Sequence, residues 1–70
     1  MIILLNKKTP AKLLQQKSFS LYWQERYAIA QNQNTPLDVL KKLANDANKV
    51  VRAAAKENLE HKQIDESAIN

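Results

Sequence analysis

The chain has 70 residues and a formal net charge of +4, and it contains two prolines but neither glycine nor cysteine. A chain of this length forms at most one domain, here residues 1–70. The lack of cysteine excludes disulfides, thiolate metal sites, iron–sulfur clusters and a cysteine nucleophile. The missing glycine excludes glycine-rich phosphate loops and disfavours hairpin turns, while 44% of the residues are hydrophobic. The composition therefore predicts an all-α domain.

The net positive charge of the chain comes from its first half. Residues 1–35 hold five Lys and Arg against a single acid, Glu25, whereas residues 36–70 hold six charges of each sign. Such an excess attracts phosphates or an acidic partner at long range. At this size, however, it is more typical of a solubilising surface.

The first five residues, MIILL, form a continuous apolar run. The run is far shorter than the apolar core of a signal peptide or the ~20 residues that cross a bilayer. We therefore expect a soluble, cytoplasmic chain with no membrane partner. The run is expected to cover the first helical hairpin, or alternatively to pair with a second copy of the chain.

A threonine–proline pair marks the start of the first predicted helix. Threonine can accept a hydrogen bond from an amide of the first turn, and proline loses no hydrogen bond at the first helical position. Thr9 and Pro10 therefore predict a helix over residues 10–17, with Leu13 and Leu14 on its inner edge.

The second predicted helix is capped by Ser18 or Ser20 and continues to about residue 31. Its apolar band is wider than the stripe of an ordinary surface helix, which indicates neighbours on more than one side and a central place in the domain. The residues of this band are Leu21, Tyr22, Trp23, Tyr27, Ala28, Ile29 and Ala30.

The third predicted helix starts at a second threonine–proline pair, Thr35 and Pro36, and runs to about residue 44. Asp38 lies where a negative charge favours the positive N-terminus of a helix. The residues expected to be buried are Leu37, Leu40, Leu43 and Ala44.

The fourth predicted helix spans about residues 49–58 and follows a polar turn at residues 45–48, whose Asp or Asn is expected to cap it. Residues 59–70 have little to bury, so a weak, fraying helix or a disordered tail is expected there. The residues of helix four expected to be buried are Val50, Val51, Ala54 and Ala55.

The chain repeats itself at an offset of 26 positions, which predicts two helix–turn–helix units over about residues 9–34 and 35–60, with a tail at 61–70. The matching pairs are Thr9 with Thr35, Pro10 with Pro36, Leu14 with Leu40, Arg26 with Arg52, Ala28 with Ala54, and Asn32 with Asn58.

The better-preserved unit has a recognisable motif, namely a Thr-Pro helix start, Leu-x-x-Leu-Ala, an aspartate in the turn, Val-Arg and an Ala-rich helix. The residues that match it are Thr35, Pro36, Leu40, Leu43, Ala44, Asp46, Val51, Arg52, Ala54 and Ala55. This motif resembles the HEAT-like α-helical repeats, including the leucine-rich repeat variant. The resemblance implies two antiparallel helix pairs stacked as a short right-handed solenoid, an α–α superhelix with capping ends.

The same resemblance implies a structural ladder of hydrogen bonds within and between neighbouring repeats, in which Asp46 pairs with Arg52 and Arg26 is the equivalent arginine one repeat earlier. The first unit departs from the motif, because Ser20 stands where the aspartate is expected and Glu25 where the valine is expected. The period of 26 is short for HEAT units and nearer the leucine-rich range. The variant family can include an iron–sulfur module, which a chain without cysteine cannot carry.

An enzyme is not expected, and we predict no catalytic, cofactor-binding or metal-binding residue and no small-molecule substrate. The single histidine, His61, falls in the predicted tail, where nothing holds it in the geometry that a catalytic base needs. Asp65 and Glu66 near it are expected to be too flexible to define a metal site.

The residues predicted to bind a partner are Trp23, Arg26 and Tyr27 on helix two, and Lys49, Arg52 and Lys56 on helix four. Second helices line the concave face of a stacked array, so these side chains could form an aromatic and basic strip there. The favoured function is a protein-interaction or scaffolding module. Nucleic-acid binding by the same strip is the less favoured alternative, because the charge is modest.

A simpler interpretation of the residues in this strip stays open. The aromatic side chains Trp23 and Tyr27 could pack under the N-terminal segment, while the arginines serve the ladder.

Two repeats also leave apolar ends uncovered, which predicts a homodimer through Ile2, Leu4 and the exposed faces of helix one or four.

Overall fold

A computed structural model describes the backbone of residues 9–69 and the side chains of residues 9–62. It contains four helices and, within those residues, no strand, so the predicted all-α class is confirmed. The predictions for the MIILL run, including the contacts of Ile2 and Leu4, lie outside the described residues. The helices are α1 (Ala11–Lys17), α2 (Trp23–Gln31), α3 (Leu37–Leu43) and α4 (Lys49–Ile69).

Proline sets the start of α1 and α3. Pro10 and Pro36 both precede their helices in extended conformation, at φ −61° and −60°, close to the value that the pyrrolidine ring imposes. The predicted threonine caps are wrong, because neither helix has a side-chain cap. Thr35 is instead buried, and its hydroxyl donates to the carbonyl of Ile29 at 2.6 Å.

The predicted cap of the fourth helix by a side chain of the preceding turn is confirmed at Asn48. The Asn48 side-chain oxygen accepts hydrogen bonds from the amides of Val50 and Val51, at 2.7 and 3.3 Å, and thereby caps α4. The predicted serine cap of the second helix is wrong, because α2 begins only at Trp23 and has no side-chain cap. The Ser18 hydroxyl donates back to the carbonyl of Gln15.

All four helices contribute to one apolar core. α4 packs against both α2 and α3, and α1 packs against α2. Tyr27, Ala44, Ala54 and Leu59 are partly buried around it. The buried residues are Leu14, Ala28, Ile29, Ala30, Val39, Leu40, Leu43, Val51 and Ala55.

The wide apolar band predicted for the second helix is wrong in its first half. Leu21 and Tyr22 precede the helix and are 94% and 69% exposed. Within α2 only Ala28, Ile29 and Ala30 are buried. The helix therefore meets its neighbours with its C-terminal half.

Burial in α3 and α4 also differs from the prediction at single positions. Leu37, in the first turn of α3, is 39% exposed, while Val39 is buried. In α4 Val51 and Ala55, one turn apart, face the core, so Val50 lies on a neighbouring face and is exposed. The other predicted residues are buried (Leu40, Leu43, Val51 and Ala55) or partly buried (Ala44 and Ala54), so the prediction is wrong only at Leu37 and Val50 and by the omission of Val39.

The fourth helix does not end at residue 58, since α4 continues to Ile69, so of the two alternatives predicted for residues 59–70 the structure has the helix. Residues 59–69 contain neither Gly nor Pro and are rich in residues that favour helices. Leu59 packs against the core, and the Lys62 ammonium donates to the carbonyl of Gln33 at 2.8 Å. No helix in the described part of the chain is long and apolar enough to cross a membrane.

Candidate partner-binding site

One ion pair joins the two halves of the described chain. The Arg26 guanidinium binds the Asp46 carboxylate through two contacts, Nε to Oδ1 at 2.7 Å and Nη2 to Oδ2 at 3.1 Å. Its Nη1 also donates to the carbonyl of Ser20 at 2.8 Å. Three hydrogen bonds therefore hold Arg26 within the fold, which leaves it little capacity to bind a partner.

The aspartate of this pair stays ionised because its surroundings favour the charged form. Burial opposes ionisation, but hydrogen bonds from Arg26 and from the Asn48 amide, with the charges of Arg26 and Arg52, outweigh it. The pKa of the Asp46 carboxyl consequently lies below its ordinary value. Asp46 is therefore a fixed negative charge at the turn before α4.

The predicted pairing of Asp46 with Arg52 is wrong, because the carboxylate pairs with Arg26 instead. Arg52 donates through Nη1 to two backbone carbonyls, those of Asp46 at 2.7 Å and Ala47 at 3.1 Å. Among the side chains of residues 9–62, no carboxylate lies within ion-pair distance of it. Arg52 is half-buried, while Lys49 and Lys56, one turn to either side on α4, are exposed.

A lysine ties α3 to the connection between α1 and α2. The Lys42 ammonium donates to the Ser18 hydroxyl at 2.8 Å and lies 3.2 Å from the centroid of the Phe19 ring, an arrangement typical of a cation–π contact. Burial lowers the pKa of Lys42, the Asp46 charge opposes that shift, and the Arg26 charge adds to it. The sequence analysis missed this contact because no short-range pattern brings Lys42 to Phe19.

The two predicted aromatic residues contact each other. The rings of Trp23 and Tyr27 meet edge to face with centroids 6.3 Å apart. Tyr27 packs against the core, and its hydroxyl accepts a hydrogen bond from the Gln31 amide at 2.8 Å. Trp23 is 38% exposed, so its ring covers Tyr27 on one side and meets solvent on another.

A groove of about 560 Å³ runs between α2 and α4, and we call it the α2–α4 groove. Its apolar part is formed by Tyr27, Val50, Ala53 and Ala54. Its polar part is formed by Gln31, Gln33, Glu57, Asn58, His61 and Lys62. The groove thus combines an apolar surface with amide, carboxylate, imidazole and ammonium groups.

Of the six residues predicted to bind a partner, only Tyr27 lines this groove. Arg26 and Arg52 are bonded to the turns that precede their helices, and Lys49 and Lys56 lie outside the groove. Most of the groove residues that the sequence did not predict lie on α4 and share one pattern. They form a second stripe along the helix, one position away from the stripe of buried core residues. It comprises Val50, Ala53, Ala54, Glu57, Asn58 and His61, at helical spacing.

Comparison with models of protein families, with curated proteins and with solved structures finds no match to this chain. The resemblance to HEAT-like repeats accordingly stays a prediction that rests on the motif residues.

Proposed function

We propose that the chain is a non-catalytic protein-interaction module of the HEAT-like repeat type, whose two helical hairpins stack as a short solenoid and bind a cytoplasmic protein partner in the α2–α4 groove. The proposal combines an architecture with a binding surface. The two are supported by different observations.

Equivalent hydrogen bonds 26 residues apart support the repeat architecture. Arg26 donates to the carbonyl of Ser20 and Arg52 to that of Asp46, at 2.8 and 2.7 Å. Both acceptors lie in the turn before the second helix of a hairpin. This is the relation expected of two copies of one structural unit.

Two buried leucines support the same correspondence, and asparagine side chains connect the two units. Leu14 and Leu40 are fully buried at matching positions after the two prolines. The side-chain amide of Asn34 donates to the carbonyl of Thr9, and the side-chain amide of Asn58 donates to the carbonyls of Ala30 and Asn32. Polar side chains thus bridge segments that are 25 to 28 residues apart.

The α2–α4 groove is the observation that carries the binding function. Its volume of about 560 Å³ lies within the range of sites that hold a small molecule or several side chains of a partner. Val50 is a large apolar residue exposed there, and its neighbours Ala53 and Ala54 have short side chains that leave the floor accessible. A partner helix or extended segment with apolar side chains fits such a surface, and the polar groups would fix its orientation.

Substitution of the groove floor tests this function. Ala53→Arg places a long charged side chain in the groove at an exposed position, so the fold is expected to survive. Ala11→Arg makes the same change at an exposed position of α1 outside the groove and serves as the matched control. Both variants and the unsubstituted protein are used for affinity capture from the source cell, with nuclease treatment.

We expect a protein that is retained by the unsubstituted chain and by Ala11→Arg but lost with Ala53→Arg. With that partner purified, the affinity measured by calorimetry should fall about tenfold or more for Ala53→Arg, as for an obstructed interface centre. Equal capture by all three proteins refutes the groove as the binding surface. Capture that nuclease abolishes, and that Lys49→Ala and Lys56→Ala weaken, supports the nucleic-acid alternative instead.

A further inference from the structure

Arg52 presents an oriented guanidinium that, among the side chains of residues 9–62, has no carboxylate within ion-pair distance. In Arg26, Nη1 donates to a backbone carbonyl while Nε and Nη2 bind Asp46. In Arg52, Nη1 makes the equivalent backbone bond, to the carbonyl of Asp46. Nε and Nη2 of Arg52 make no hydrogen bond within the described side chains, residues 9–62. The two nitrogens that would form a bidentate pair are therefore available.

The first hairpin presents a carboxylate at the position that corresponds to Asp46. Ser20 corresponds to Asp46 by the 26-residue offset, and its hydroxyl oxygen accepts from the Tyr22 amide just as the Asp46 carboxylate accepts from the Asn48 amide. The Ser20 hydroxyl in turn donates to Oε1 of Glu25. Glu25 thus carries the negative charge that Ser20 lacks, beside the position that corresponds to Asp46.

No cation among the described side chains forms an ion pair with Glu25, since Arg26–Asp46 is the single pair within 4.0 Å in that part of the chain. Glu25 and Arg52 are both half-buried, so part of the surface of each residue is already removed from solvent. The cost of desolvating them further on contact is correspondingly reduced.

We propose that Arg52 of one molecule binds the Glu25 carboxylate of a second copy, which reproduces between molecules the contact that Arg26 and Asp46 make within one. Each copy then offers Arg52 to one neighbour and Glu25 to another. Because the contact repeats the Arg26–Asp46 relation in the same sense from molecule to molecule, it is head-to-tail, and it generates oligomers larger than a dimer, open-ended where the rotation does not close a ring.

Residues beside the two charges fit this contact. Leu21 and Tyr22 lie in the connection next to Ser20 and are largely exposed, so they supply apolar area beside Glu25. Lys49 and Lys56 are exposed one turn from Arg52 and strengthen the positive field around it. Opposite charges on the two surfaces speed encounter and fix the register of the complex. Neither Glu25 nor Arg52 lines the α2–α4 groove, so this inference is independent of the proposed function.

Sedimentation equilibrium of the 70-residue protein from micromolar to millimolar concentration tests the proposal. We expect the weight-average mass to rise continuously from 8.0 kDa to beyond twice that value, and to fall when salt is added. Arg52→Glu and Glu25→Arg should each lower the association constant about tenfold or more, because each places like charges in contact. An equimolar mixture of the two variants should associate again, since every contact in the mixed chain then joins opposite charges.

Lys41→Glu is the matched control, because it makes the same charge reversal at an exposed site on α3. It should leave association within about twofold of the unsubstituted protein. Circular dichroism of every variant checks that the helices are retained. Where a charge reversal reduces the helix content, Arg52→Lys and Glu25→Gln replace it, and each is expected to weaken association while the fold is kept.

Four results would overturn the proposal. The first is a mass of 8.0 kDa at every concentration. The second is a plateau at the dimer mass, which indicates a two-fold interface instead. The third is association that Arg52→Glu and Glu25→Arg leave unchanged, and the fourth is a mixture of these variants that stays dissociated.

Discussion

The ion pair between Arg26 and Asp46 should contribute a large part of the stability of this domain, and Asp46→Ala measures that contribution. The substitution removes two contacts to Arg26 and one hydrogen bond from the Asn48 amide. The Arg26 guanidinium would keep only its bond to the carbonyl of Ser20. A charge that the fold partly buries would therefore lose its counter-ion.

The exposure of the two side chains decides the size of the effect. They are 17% and 9% exposed, so the pair is neither a surface pair, worth about 0–1 kcal/mol, nor fully buried, where loss of one partner costs about 3–5 kcal/mol. We expect Asp46→Ala to lower the free energy of unfolding by about 2–3 kcal/mol. A chain of this length has a total stability of roughly 4–10 kcal/mol. The single substitution should thus remove roughly a fifth or more of it.

Urea denaturation followed by far-UV circular dichroism is the appropriate assay. The transition midpoint should fall while the denaturant dependence stays constant, which shows that stability and not compactness has changed. Asp38→Ala is the matched control, because Asp38 is an exposed aspartate in the first turn of α3. It should lower stability by only about 0.5 kcal/mol, through loss of its interaction with the helix terminus.

A double-mutant cycle separates the pair from its surroundings. Asp46→Ala and Arg26→Ala together should cost less than the sum of the two single substitutions, by about 1 kcal/mol or more. Additive effects, or an Asp46→Ala variant as stable as Asp38→Ala, would refute the view that this pair joins the two hairpins energetically.

Three further predictions concern acid, a bridging amide and the core. Because the pKa of Asp46 is lowered in the folded state, its contribution is fully present above the ordinary aspartate value of about 3.9 and is lost as the pH falls through the lowered pKa; acid titration of stability should therefore be shallower for Asp46→Ala than for the unsubstituted protein. Asn58→Ala removes two hydrogen bonds to carbonyls of another segment and should cost about 1–2 kcal/mol, while Asn45→Ala, which loses one exposed contact, should cost less than half of that in the same urea assay. Leu43→Ala should cost about 2–4 kcal/mol because Leu43 is fully buried, whereas Leu37→Ala should cost under about 1 kcal/mol; thermal unfolding in which the two leucines are equal would contradict the assignment of the core.

The sequence predicted the helices best where local chemistry decides them. Pro10 and Pro36 fix the backbone at the two helix starts, and Leu14 and Leu40 follow at the spacing that turns them into the core. These features depend on bonds and periods within a few residues, and tertiary packing does not change them. The all-α class followed from the same local preferences.

The sequence predicted burial less well where packing between helices decides it. Leu21 and Tyr22 are apolar, but the chain turns between α1 and α2 at that point, so they precede the helix and remain exposed. Val50 and Val51 are chemically alike, and only the side on which α2 and α3 approach α4 determines which one is buried. No pattern within a single helix contains that information.

In the candidate site, too, short-range patterns predict some features, and packing between helices decides the others. The motif correctly singled out Asp46 as an ionic residue of the turn, yet it assigned the carboxylate to Arg52, which lies on the same helical hairpin. The carboxylate binds Arg26, 20 residues earlier in the chain, because α2 packs against α4 and lies near the turn that precedes it. The α2–α4 groove likewise exists only once two helices lie side by side, so its residues form no motif until the fold is known.

The Asn58 amide has a consequence for how this chain folds as it is synthesised. Its two N–H groups bind the carbonyls of Ala30 and Asn32, at the end of α2, and Asn58 follows Ala30 by 28 positions. Until Asn58 leaves the ribosome, the Ala30 carbonyl has water as its alternative partner, whereas the Asn32 carbonyl also accepts from the Thr35 backbone amide at 3.1 Å. The first hairpin therefore lacks this bond while the second is still being made. Order at the end of α2 should arrive together with the docking of α4, in a single late step of vectorial folding.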